Sequence, residues 1–154
     1  MAMLPKIERI DDRLAVIVPA LTAAFDANGT YPFRHVTRNR NELQQQDEAQ
    51  LEQGIIIVLA AAESDYSQQL GKVARDGKLE LVLIGHLRVA EDAAKSEIED
   101  REIALIEDLK SFFRGGTAGL SYQVNEFRSS LQLYHPYGFI VGSVLITNPT
   151  HTQS

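Results

Sequence analysis

The stretch GIIIVLAAA, residues 54–62, is apolar at every position and carries three consecutive isoleucines. At this length a continuous apolar run reads as a strand buried on both faces, and such a strand belongs at the centre of a sheet. A later segment repeats the problem. In residues 139–146 Phe139, Val141 and Leu145 alternate with Ile140, Val144 and Ile146, so both sides of that strand are apolar too. Whatever this chain folds into must cover a sheet on two sides or share one side with something else.

The covering material is helical. Ile7, Ile10, Leu14, Ile17 and Leu21 recur at spacings of three and four, one stripe of a helix. Pro19 lies inside that stripe and predicts a kink or break, because it removes a hydrogen bond to the carbonyl of Ala15; Asn28-Gly29 predicts the end. KSEIEDREIALIEDLKSFFRGG is the clearest helix: Ile98, Leu105, Leu109 and Phe112 form the stripe, Ile106 and Phe113 widen it, and Gly115-Gly116 stops it. Its acidic residues, Glu97, Glu99, Asp100, Glu102, Glu107 and Asp108, read as a solvated face.

Between these helices the segment 30–53 is polar, with a short strand expected around Arg34 to Arg38 and then a loop or weak helix. Asp76-Gly77 matches a two-residue type I′ turn leading into a strand from about Lys78 to Val89. The end of the chain, GLSYQVNEFRSSLQLYHPYGFIVGSVLITNP, reads as strand, turn, strand. Helix, strands, helix, strands is an α+β order: a largely antiparallel sheet with two amphipathic helices on one face. One domain over 1–148 with a polar tail at 149–154 suits a chain of 154 residues.

Two helices cover one face. Val82 and Ile84 add to the apolar surplus on the other, which predicts contact with another chain unless 39–53 folds back over it as a third helix. Partners of other kinds are disfavoured. Fifteen basic against 21 acidic residues, net −6, argue against a general nucleic-acid binder, and no stretch approaches the ~20 apolar residues needed to span a bilayer. The N-terminus does not read as a secretory signal, since acids precede its apolar stretch.

Catalysis has little to stand on. There is no cysteine, and His35, His86, His135 and His151 show no ligand spacing, so neither a metal nor another cofactor is expected. No serine sits in a G-x-S-x-G setting, and RGGTAG follows a helix where a phosphate loop would precede one. The chain is expected not to be an enzyme; the weaker alternative is a small α+β enzyme with a site near His86 or His135. The candidate residues are therefore interfacial: Val82, Ile84 and His86 on the mixed face, the basic cluster Arg34, Arg38 and Arg40, and Tyr134, His135 and Tyr137. The cluster suits an acidic neighbour, such as the acidic helix of another copy. In LYHPYG, Pro136 and Gly138 suit a corner, and the tyrosines can bury rings while their hydroxyls stay wet.

The amphipathic first helix, the strand GIIIVLAA, the strand LELVLIGHLRVA leading into AAKSEIEDREIALIEDLKSFF, and the closing hairpin around LYHPYGFIVGSVLI together resemble the tail terminator, or tail completion, proteins of long-tailed bacteriophages. The resemblance spans nearly the whole chain and rests on patterns. It implies a virion protein of the tail or neck, assembled in the host cytoplasm. Such proteins form a hexameric ring that caps the tail tube, stops its polymerisation and presents a joining surface to the head connector. Loops 39–53 and 62–77 are then the expected contacts with tube or neck protein. Another head-tail joining protein, or a dimeric adaptor of similar shape, is the alternative.

Overall fold

A computed structural model describes residues 9–27, 31, 34–40, 48–64, 68–69, 72–73, 77–117 and 119–147. Its elements are α1 (Ile10–Asp26), β1 (His35–Thr37), α2 (Glu48–Gln53), β2 (Ile55–Ser64), β3 (Gln68–Gln69), β4 (Lys72–Val73), β5 (Lys78–Arg88), α3 (Lys95–Gly115), β6 (Ser121–Ser129) and β7 (Tyr137–Thr147). The five long-range strands order as β1-β2-β5-β7-β6, and β3 pairs separately with β4. Only β1 and β2 run parallel; the other pairs are antiparallel. The fold is α+β, as the element order required.

Both long helices lie on one side of this sheet. Leu14, Ile17, Leu21 and Phe25 of α1 and Leu105, Leu109 and Phe113 of α3 meet Val36, Ile56, Val58, Leu79, Leu81, Leu83, Ile140, Val144 and Ile146 in one buried cluster. The strand parity follows: odd positions of β5 and even positions of β7 look into this core. The approach is close enough that Gly85 is required, since a Cβ there would lie 2.6 Å from Leu105 Cδ2 and 2.9 Å from Ile140 Cγ1.

Several expectations are corrected. Pro19 does not break α1, which runs through it as one helix of 17 residues. Both Pro19 and Ala15 are exposed, so the carbonyl that loses its partner can turn to water. The expected stop at Asn28-Gly29 lies outside the described residues; α1 reaches Asp26, with Ala27 as its cap. The central strand is β5 rather than GIIIVLAAA. In β2 burial is complete only from Ile55 to Val58; three-residue β1 pairs with Ile55–Ile57, beyond which no described strand pairs with that side of β2, and β2 is bulged between Ala60 and Ala62. The turn expected at Asp76-Gly77 falls on Asp76, outside the described residues. β4 pairs with β3, while β5 takes ten-residue β2 as its partner, with Lys78 opposite Ser64.

In α3 the buried stripe is Ile98, Glu102, Leu105, Leu109 and Phe113, with Phe112 only half-buried. Glu102, expected on the solvated face, is fully buried. The third helix anticipated over 39–53 exists in part, as α2, but none of its side chains is buried, and residues 41–47 lie outside the described set.

Candidate interaction surface

The side of the sheet away from the helices carries Leu59 of β2, Val82, Ile84 and His86 of β5, and Phe139, Val141 and Leu145 of β7, all half-buried. Ile55 and Ile57 share this side and are fully buried, so its open part begins at Leu59 and widens over β5 and β7. On β6 the same side turns polar, with Gln123, Glu126 and Arg128. α1 and α3 are committed to the opposite side, and α2 stands at the end of β5, its Gln50, Leu51 and Gln53 half-buried and its Glu52 3.5 Å from Arg88. Among the described residues, then, this side of the sheet is apolar over β5 and β7 and half-buried.

A second apolar surface stands at one end of the sheet. The turn joining β6 to β7 exposes Leu131 (73%), Leu133 (69%), Tyr134 (57%) and Tyr137 (47%). It is held from below. Glu102 Oε2 accepts the backbone N–H groups of Ser130 (3.2 Å) and Phe139 (2.9 Å), one on each side of the turn. Gln132 donates to Glu99 (2.6 Å), His135 Nε2 lies 2.8 Å from the carbonyl of Ala93, and Val89 N–H donates to the carbonyl of Pro136 (2.9 Å). The His135–Pro136 peptide is cis. Leu131 and Gln132 both have positive φ, 60° and 61°, a conformation that costs a non-glycine residue about 1–2 kcal/mol and persists only where surrounding contacts impose it. Gly138 belongs to the same construction: a Cβ there would lie 2.7 Å from Ile98 Cγ2 and 3.1 Å from Glu102 Oε2. The corner read from LYHPYG is thus a braced tip.

The candidate residues divide between these surfaces. Val82, Ile84 and His86 lie on the open face, and Tyr134 and Tyr137 on the tip; Tyr134 also packs on Phe139, ring centroids 5.8 Å apart, joining the tip to the face. His135 is half-buried and bonded within its own chain. The three arginines separate. Arg34 is buried, pairs with Asp108 of α3, and stacks over Phe25 and Tyr31, so the acidic helix it meets is its own. Arg38 and Arg40 remain exposed. Arg40 comes near enough to His86 to act on it. Sequence reasoning passed over Glu102 and the leucines of the tip. The register Ile98-Glu102-Leu105-Leu109 was the available signal for the first.

Burial, and secondarily the charge of Arg40, pushes the His86 imidazole below its ordinary range. A histidine with a lowered pKa stays neutral in the fold while the unfolded chain takes up a proton, so stability is full at high pH and is lost on acidification below about pH 6.5. Denaturant midpoints followed from about pH 8 to about pH 5 are expected to fall more steeply for the native chain than for His86→Gln. Parallel curves would show that this side chain contributes nothing to the pH response.

Among the described residues no three His, Asp or Glu side chains gather as metal ligands, and no helix is long and apolar enough to cross a membrane. No protein-family model matches the chain, and no curated protein sequence does either.

Proposed function

We propose that this chain is a structural protein of a phage virion, a tail terminator that assembles into a closed ring of its own copies, six by the resemblance, and ends the tail tube. The observation carrying this reading is the half-buried apolar sheet side centred on Val82, Ile84, Val141 and Leu145, opposite the side on which the two long helices pack. A monomer gains nothing from it; an assembly does, by removing it from water. The sheet edges support association through a face rather than by strand addition. β1 has three residues, and β6 is bulged between Val124 and Glu126 and carries the charges of Glu126 and Arg128, features that discourage edge pairing. In the ring, tail-tube protein and head connector would be the axial partners.

Native mass measurement or particle imaging of the purified chain, alone and with tail-tube protein, tests this. A closed ring near six copies is expected. Ile84→Asp should leave the circular dichroism spectrum unchanged and shift the mass to that of a monomer, because a carboxylate buried without a partner costs several kcal/mol. A native chain that stays monomeric at high concentration with tube protein present would overturn the reading. Rings that bind the connector and ignore the tube would make it a neck protein.

A further inference from the structure

The half-buried side of the sheet carries a group that titrates near neutral pH. His86 stands in a cross-strand row with Ile55 of β2 and Phe139 of β7, and its neighbours on the same side of β5 are Ile84 and Arg88. The adjoining row, Ile57, Ile84 and Val141, is wholly apolar. Phe139 packs in turn on Tyr134, so the row continues into the tip and His86 has apolar surface on three sides. The charges nearest to it are of one sign. Arg40, in the segment following β1, acts on the ring, and His35 of β1 lies beyond Ile55 in the same row. Arg88 is the cation next along β5, and the carboxylates of that corner are turned to it: Glu48 and Glu52 of α2 lie 3.8 and 3.5 Å away, and Glu91 3.7 Å. Glu80 shares the side of β5 but stands six residues off, about 20 Å along the strand. Among the described residues no carboxylate pairs with His86.

We infer that His86 makes assembly through this face proton-linked: the face closes over the neutral imidazole only, so copies join at neutral pH and separate on acidification. This deepens the ring reading, as the regulation of the same surface, and rests on it. A neutral imidazole leaves water at the cost of an ordinary polar group. An imidazolium among Ile55, Ile84 and Phe139 would carry a full charge into a layer whose nearest charged groups are cationic, a far larger cost. Burial within the single chain already holds the ring below its ordinary range, with the charge of Arg40 second, and a covering copy adds to the first of these causes. The sign follows. Where the isolated chain already holds His86 neutral, assembly is indifferent to pH; below that point each copy must release a proton before the contact forms, and the contact weakens by as much as about tenfold per pH unit. This window lies below about pH 6.5 and above about pH 5, where most carboxylates remain ionised.

Sedimentation of the native chain and of His86→Gln, from about pH 7.5 to about pH 5 at constant ionic strength, tests the linkage, with circular dichroism confirming the fold at each pH. The concentration at which half of the native chain is assembled should rise about tenfold across this range. For His86→Gln it should rise less than about threefold, whatever its level at neutral pH. If glutamine at this position prevents assembly, the native imidazole supplies the measurement instead. Its NMR titration should have a lower midpoint in the assembled chain than in the chain diluted to monomer. Equal slopes for the two chains, or one His86 midpoint in both states, would overturn the linkage and leave the ring reading standing. A native chain that stays monomeric at neutral pH with tube protein present would overturn both.

Discussion

Replacing Glu102 by alanine is expected to destabilise the protein by about 2–5 kcal/mol, because two buried backbone N–H groups each lose their acceptor at about 1–3 kcal/mol apiece. For a chain of this length that corresponds to a fall in Tm of roughly 10 °C. Ser130 and Phe139 lie on either side of the β6–β7 turn, and Ile98, Leu87 and Gly138 close around the carboxylate, so water has no easy route to replace it. One offset exists: Glu102 Oε1 is buried without a hydrogen-bond partner, and removing it relieves that penalty. Glu102→Gln keeps a carbonyl acceptor and should lose less than half as much. The alanine variant should also lose assembly at temperatures where it remains folded, since Leu131 and Gln132 have no reason to hold positive φ once the turn is unbraced. A denaturation midpoint within 0.5 kcal/mol of the native value, by the usual margin for surface substitutions, would show that the turn is held by its own local bonds.

The order of elements was legible because it is written in periodicity, but the place of each strand was not. GIIIVLAAA announces burial on both faces, and Ile55–Val58 have it; the alanines that follow do not, because whether a strand is central depends on how far its neighbour extends, here three residues of β1. Lys78–Arg88 looked like a strand with one mixed face and is the centre of the sheet, flanked along its length by β2 and β7. The mixed face was legible: its residues are half-buried, and the two long helices pack on the other side.

The charged residues were the least legible. Arg13, Arg34, Arg88 and Glu102 are all buried, and none is distinguishable by type from the exposed charges around it. Spacing separates Glu102, which falls on the stripe of Ile98 and Leu105; it also separates Arg13, next to Leu14 and four before Ile17 on the buried side of α1. Arg34, Arg38 and Arg40 share one parity, yet the first lies just before β1, where its side chain reaches back over Phe25 to Asp108. Parity fixes a side only while the strand lasts. What the arginine alternation did find is two exposed residues, Arg38 and Arg40.

Arg13→Ala should be as damaging as any single change in the molecule, at about 3–5 kcal/mol, the range for breaking a buried ion pair from one side. Arg13 is completely buried in the first turn of α1, donates to the carbonyl of Gly77 (2.8 Å), and pairs with Glu63. It thereby ties the helix to the far end of β2 and to the entry of β5, beyond the stretch that β1 pairs with. The loss is a large share of the 5–15 kcal/mol by which domains are usually stable. Most of it comes from the stranded partner. Arg13→Met combined with Glu63→Leu removes both charges and keeps their volume, and should recover stability to within about 1–2 kcal/mol of the native chain, since desolvating the pair offsets most of its attraction. The decisive quantity is the coupling energy from the four urea midpoints of a double-mutant cycle, native, Arg13→Met, Glu63→Leu and both. A coupling of about 2 kcal/mol or more is expected for residues in direct contact. Additive losses would mean that Gly77 holds Arg13 and that Glu63 is incidental.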